Sequence, residues 1–255
     1  EEFLENNPLY EIKGKEFKEK TEAAMQTGKQ TLTAAAAQKK ERMSQADFQK
    51  LRDSKVDIIN FIKNTDFKKV QSPDGCEEIF YDGWPLLWNH YTRILPAKIA
   101  IMGIADIMNS KQSDMIELDE SNKAHIYDLT EELSETLRQE EKKKGMKREN
   151  KLSTGLPKPP EAQYNKKDKK RVLDAEQRYK DRILGKPRKH RKEDKKSFDG
   201  MLSALGLIRT FTDGNNNVHV TLTQSGKKFC IYENPIMNED YASNALSAEE
   251  SRFLV

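Results

Sequence analysis

Cysteine is scarce in this chain: Cys76 and Cys230 are the only two in 255 residues. Two thiols make neither a disulfide framework nor a metal-ligand set, so reduced cysteines are the expectation, with one bridge between them left open. Histidine is almost as sparse. His90, His125, His190 and His219 stand far apart, with no pair one helical turn apart to grip a metal and no Ser-His-acid motif. There is no glycine-lysine phosphate loop and no strand-bounded glycine fingerprint. Carboxylates are plentiful, yet they fall in solvated helical runs such as Glu117–Glu120 and Glu131–Glu135. No catalytic, metal-binding or cofactor-binding residue is assigned, and an enzyme is not expected.

Long apolar runs are missing too. The most apolar stretch, 84–108, is interrupted by His90, Arg93, Pro96, Lys98 and Asp106, which excludes a membrane span there. Hydrophobic residues make up only 35% of the chain and charged ones 34%, a balance that suits long exposed helices around a small core, or a partly disordered segment. No secretory signal opens the sequence, which starts at Glu1 without methionine and so points to a processed or partial polypeptide. A cytoplasmic, nucleoid-associated protein (nuclear in a eukaryote) is expected.

What is abundant is positive charge in one place. From Lys142 to Lys196 there are 22 Lys or Arg against 8 Asp or Glu, a balance of +14; since the whole chain carries +3, the remainder carries −11. Lys and Arg neutralise phosphates and release counterions, which is the main source of nucleic-acid affinity. The bland alternative is a solvated loop whose charges keep it in water.

The segment Phe198–Pro235 follows this basic run. Met201, Leu202, Leu205 and Ile208 fall at helical spacing, and Gly206 offers a helix stop. An extended run to Thr212 meets the turn-forming Asp213-Gly214-Asn215-Asn216-Asn217. Val218, Val220 and Leu222 alternate as in a half-buried strand, and Thr223 is placed to cap a further helix that ends at Asn234-Pro235. Helix, hairpin, helix is the order of a winged helix. In detail, Leu205-Gly206-Leu207-Ile208-Arg209, then the polar tip, then Leu222-Thr223-Gln224-Ser225-Gly226, resembles the wing of MarR-like winged-helix transcription regulators. The likeness spans about forty residues. It implies a recognition helix from about Lys192 to Leu205 and a wing over 209–223. Arg188, Lys189, Arg191, Lys192, Lys195 and Lys196 would then meet the phosphate backbone at the helix entrance. Ser197 and Ser203 would reach base edges, and Arg209, Asn215, Asn216, Asn217 and His219 would contact the duplex from the wing. Plain turn chemistry is the competing account of the three asparagines. Upstream the chain departs from that family: a compact helix-turn-helix is replaced by long, charged, interrupted sequence.

The rest of the chain builds towards this segment. A helix is predicted over about 15–42 and a second after Ser44, with Phe48, Leu51, Ile58, Ile59 and Ile62 largely on one face and Val56 at its edge. These amphipathic helices serve either intramolecular packing or a homodimer through residues 15–63. Pro73-Asp74-Gly75 is a turn, with a small hairpin after it. Trp84, Leu86, Leu87, Trp88 and Tyr91 form an aromatic cluster, read as core or as a base-stacking platform. Pro96 begins a helix whose apolar stripe (Ala97, Ala100, Ile101, Ile104, Ala105, Met108) makes it central. Ile116-Glu117-Leu118 is a short strand, and 122–144 a helix with Ile126, Leu129, Leu133 and Leu137 inward. Residues 145–165 look like a mobile linker or insertion, followed by a helix over 166–184 that Gly185-Lys186-Pro187 ends. The fold class is mainly α with a small β-hairpin: a winged helix preceded by N-terminal amphipathic helices. The domains are 1–83, an N-terminal helical arm; 84–238, the winged helix with a basic insertion at 145–186; and 239–255, the start of a truncated helix. The function expected is duplex DNA binding by a transcription regulator or DNA-associated factor. The alternative is a protein-interaction scaffold on the same fold.

Overall fold

The computed structural model describes residues 48–82, 94–147, 150–158, 169–189, 196–242 and 244–253, with side chains from 175 onward in the helix that starts at Lys169. The expected helix at 15–42 and the aromatic cluster at 84–91 lie outside these residues. The rest belongs to one compact unit, Ala46–Val255. In chain order it comprises α1 (Phe48–Asp53), α2 (Lys55–Asn64), β1 (Glu77–Ile79), α3 (Ile94–Lys111), β2 (Ile116–Glu117) and α4 (Glu120–Lys143). Then come α5 (Lys169–Ile183), β3 (Lys186–Lys189), β4 (Lys196–Asp199), α6 (Met201–Ala204), β5 (Ile208–Thr212), β6 (Val218–Leu222), α7 (Gln224–Ile231), a 3-10 turn (Ile236–Asn238) and α8 (Ala248–Phe253). This is a mixed α/β architecture, with more strand than a single hairpin would supply.

The core is built around α3. Ala97 and the run Ile99 to Ala105 are buried all round, as the nearly continuous apolar sequence requires. On one side lies α4, capped by Asp119, whose carboxylate accepts the Asn122 N–H at 2.6 Å; Ile126, Leu129, Leu133 and Leu137 face inward. Phe48, Leu51, Ile58 and Ile62 of α1 and α2 enter the same core. Within 48–64 the amphipathic face is therefore consumed in cis, and Val56 is the large apolar side chain left outside. Packing within the chain is what this face does.

A four-stranded antiparallel sheet, in the order β1-β5-β6-β2, closes the other side. Its outer strands come from far upstream. Glu77, Glu78 and Ile79 pair with Thr212, Phe211 and Thr210, and Ile116 and Glu117 pair with Val220 and His219. The predicted turn at Pro73-Asp74-Gly75 is present, with the Cys76 N–H on the Pro73 carbonyl at 3.0 Å and Gly75 at φ 73°. The strand after it joins the sheet edge instead of folding back into a local hairpin.

Two glycines explain the motif around the β5–β6 hairpin. Gly206 takes a φ of 64°, which ends α6 and turns the chain into β5. Gly226 lies under Leu207: a side-chain carbon there would stand 1.9 Å from the Leu207 carbonyl oxygen. Between them Thr223 caps α7, accepting the Gly226 N–H at 2.9 Å and donating its hydroxyl to the Gly206 carbonyl at 2.6 Å.

Two expectations change here. Part of the stretch read as a mobile linker is packed on α4: Leu152, Ser153, Leu156 and Pro157 are buried. The Glu141 carboxylate accepts the Ser153 N–H at 2.6 Å and its hydroxyl at 2.9 Å, while the Ser134 hydroxyl donates to the Pro157 carbonyl. Likewise Ile183 and Leu184, at the end of α5, belong to the main core. Low apolar content concealed a segment anchored by buried polar bonds.

Candidate nucleic-acid interface

The expected recognition helix over 192–205 does not form. Residues 196–199 are strand β4, paired antiparallel with β3, and the only helix there is the four-residue α6. The physical reason is local. Gly200 and Gly206 bound a segment too short for more than one helical turn. Upstream, Ser197 and Phe198 are both buried in a strand whose partner contains Pro187, a residue tolerated on an edge strand and hostile to a helix interior. Met201 and Leu202 of α6 face the core, and Ser203 is half-buried. The helical spacing that runs on to Ile208 belongs partly to a turn of helix and partly to β5.

The β3–β4 hairpin joins the main sheet at the end of β1, where the Phe198 N–H donates to the Phe80 carbonyl at 3.0 Å. Arg188 locks the joint. Its guanidinium bridges Asp82 and Asp199, the latter at 2.9 Å, and Asp82 is the closer partner. Lys186 pairs with Asp181 at 2.6 Å. Beyond these bonds the register sets Lys189 directly opposite Lys196. Like charges facing each other across a ladder are unfavourable by themselves. Neither lysine has an acidic partner among the described residues. Ser197 is buried, with its hydroxyl 3.5 Å from the Arg188 carbonyl, so it cannot present itself to a base edge. Arg191, Lys192 and Lys195 lie outside the described residues.

The β5–β6 hairpin, the expected wing, is built differently. Arg209, expected on phosphate, holds Glu78 with two hydrogen bonds of 2.7 and 2.9 Å and the Val70 carbonyl at 3.0 Å. Its guanidinium also lies 5.0 Å from the centre of the Phe211 ring. Hydrogen bonding to Glu78 raises its pKa further, so it is a permanent cation, already matched. At the tip the Asp213 carboxylate accepts the Asn215 N–H, the Asn217 N–H and the Asn217 side-chain amide, each at 2.8 Å. Asn216 adopts φ 67°, the left-handed conformation asparagine tolerates. Turn chemistry thus accounts for Asn217 and for the Asn215 backbone, leaving the Asn215 and Asn216 side chains exposed. His219 sits mid-strand between Phe211 and Glu117.

The two expected contact regions are separate. The tip follows Thr212, opposite the Glu77 end of β1, whereas the β3–β4 hairpin attaches at the Phe80 end. The structure brings together Lys189 and Lys196, and it gives Arg188 and Arg209 carboxylate partners. Sequence reasoning missed those partners, Glu78, Asp82 and Asp199, because each is remote in sequence or hidden in a charge run. Among the described residues no group of acidic, histidine or cysteine side chains is arranged to hold a metal ion, and no helix is long and apolar enough to cross a membrane. Family models, curated proteins and solved structures were all compared with the chain, and none matches.

Proposed function

We propose that this protein binds duplex DNA, as a transcription regulator or DNA-associated factor, through the basic β3–β4 hairpin in place of a recognition helix. The observation that carries this reading is the facing pair Lys189 and Lys196. Two lysines set directly opposite each other, with no acidic partner among the described residues, cost the hairpin stability, and a phosphate between them removes that cost. The intervening residues 190–195 contain Arg191, Lys192 and Lys195 against Glu193 and Asp194. A two-stranded ribbon of this kind fits the width of a major groove. A winged-helix core is supported by the order helix, strand, helix, hairpin in α3, β2, α4 and β5–β6, and by the sheet order β5-β6-β2.

The test is a titration of the full chain against a labelled duplex at a series of salt concentrations. Affinity falls steeply as salt rises, with a log–log slope of about 0.9 for each phosphate contact. Absence of salt-dependent binding at low ionic strength overturns the proposal. The second reading, a protein-interaction scaffold, is favoured by the Arg188 and Arg209 ion pairs, which leave those two cations matched by this chain's own carboxylates.

A further inference from the structure

Lys98 stands where a charged residue is least expected. It lies near the start of α3, the central helix, and is 1% exposed. Its ammonium donates to the carbonyls of Phe229 at 2.5 Å, Tyr232 at 2.8 Å and, more weakly, Cys230 at 3.3 Å. These groups lie at the C-terminal end of α7, where backbone carbonyls run out of helical donors. Lys98 therefore caps α7 from inside the core. Its counter-charge comes from elsewhere: Glu250 of α8, 0% exposed and 3.1 Å away.

Helix α8 has little else to hold it. It is six residues long, too short to be stable alone. Ala248, Glu249, Ser251 and Arg252 are exposed. Three things bind it to the body. The Glu250 carboxylate meets Lys98 and also accepts the Asn234 amide at 2.8 Å and the Ser247 N–H at 2.9 Å. The Phe253 ring stacks on Phe229 and meets Tyr232 edge-on. The Asn234 amide also reaches the Ala245 carbonyl at 3.0 Å. Anchoring thus depends on one carboxylate and one ring, three residues apart on the same face of a short helix.

We propose that residues 244–253 form a detachable clasp, and that the surface beneath it, Lys98 with Phe229 and Tyr232, is a receptor for a helical segment carrying a carboxylate and an aromatic ring three residues later. The clasp opens as a unit while α3, α4 and the sheet stay folded. Opening leaves Lys98 bonded to the carbonyls of Phe229, Tyr232 and Cys230, so its ammonium keeps acceptors when Glu250 departs. The occupant seen in cis defines the chemistry of any occupant in trans. This inference does not depend on the DNA-binding reading, because neither lysine of the β3–β4 hairpin takes part.

Hydrogen exchange followed by mass spectrometry on the full chain tests it, with Glu250→Gln and Phe253→Ala as separate variants. In each, exchange over 244–253 rises by at least about tenfold, since a hydrogen bond to a charged group or a ring contact is lost, while α3 and α4 keep their protection. A labelled peptide of residues 244–253 then binds the variant carrying both substitutions and not the unaltered chain, whose own clasp fills the site. Exchange that is unchanged in both variants overturns the clasp. Exchange that rises through the whole chain in step also overturns it, because the segment is then part of the core. A clasp that opens without peptide binding overturns the receptor.

Discussion

The two hairpins of this protein have the same topology and opposite electrostatics. In β5–β6 the Asp213 carboxylate ties the tip together through Asn215 and Asn217, and the one arginine is spent on Glu78. In β3–β4 the base is clamped by Arg188 while the end near the turn holds two lysines face to face. A hairpin whose charges are matched within the fold contributes to stability. One whose charges are left opposed contributes less, and keeps its free energy available for an anionic partner. The difference separates what holds the sheet together from what a ligand would meet, and the sequence, which reads as a turn at 213–217 and a recognition helix over 192–205, does not foretell it.

Substitutions can sharpen or break this contrast. The largest effect is expected at Gly226→Ala beneath the β5–β6 hairpin. A methyl group 1.9 Å from the Leu207 carbonyl forces backbone to move, costing about 2–3 kcal/mol or more. Urea denaturation measures it, and a loss below about 1 kcal/mol would show that α7 can shift away from β5 cheaply. Next comes the pair Lys189→Ala with Lys196→Ala. Duplex affinity drops at every sequence alike, and the salt slope flattens by up to about two units. Removing the like-charge pair leaves stability unchanged or raises it by a few tenths of about 1 kcal/mol. A slope that does not move while the fold is intact would break the comparison on the ligand side.

Arg209→Ala is expected to do the reverse. It removes a partly exposed ion pair with Glu78 and the cover over Phe211, lowering stability by about 1 kcal/mol or less and leaving the salt slope where it was. A flattened slope would instead show that this cation meets phosphate despite Glu78. The smallest effect is at Asp213. Desolvation pushes its carboxyl up, but the bonds from Asn217 and Asn215, with His219 nearby, outweigh that and hold its pKa below the ordinary 3.8. A folded pKa below the unfolded one gives a contribution present above pH 3.8, which is lost as pH falls through the lowered value. The Asn215 and Asn217 amide signals in NMR spectra should therefore hold their shifts down to pH 3.8 and move together below it. Asp213→Asn removes that step, and an unchanged step in the variant would assign it to another group.

Much of the fold was legible because its signals are local. Pro73-Asp74-Gly75, the apolar stripe of α3, the inward Ile126, Leu129, Leu133 and Leu137 of α4 and the Gly206 to Gly226 motif each specify backbone conformation over a few residues. Their elements appear where periodicity and capping put them. The helix at 192–205 failed for a related reason. Apolar spacing over Met201, Leu202, Leu205 and Ile208 is shared by a turn of helix and the start of a strand. The pairing of β4 with β3 overrode it, and that pairing gains its free energy from Phe198 entering the core.

By itself, then, the amino-acid sequence determined the helices of the core, the β5–β6 hairpin with its turn and the cap after it, and the position of the positive charge along the chain. Only the tertiary structure decided which charges are paired. Partners such as Glu78 for Arg209, Asp82 for Arg188 and Glu250 for Lys98 lie 131, 106 and 152 residues away from them (209 − 78, 188 − 82 and 250 − 98). No local pattern encodes such a pairing. An ion pair is a property of distance and burial, and both are set only when the sheet edge, the hairpin and the C-terminal helix have closed on the same core.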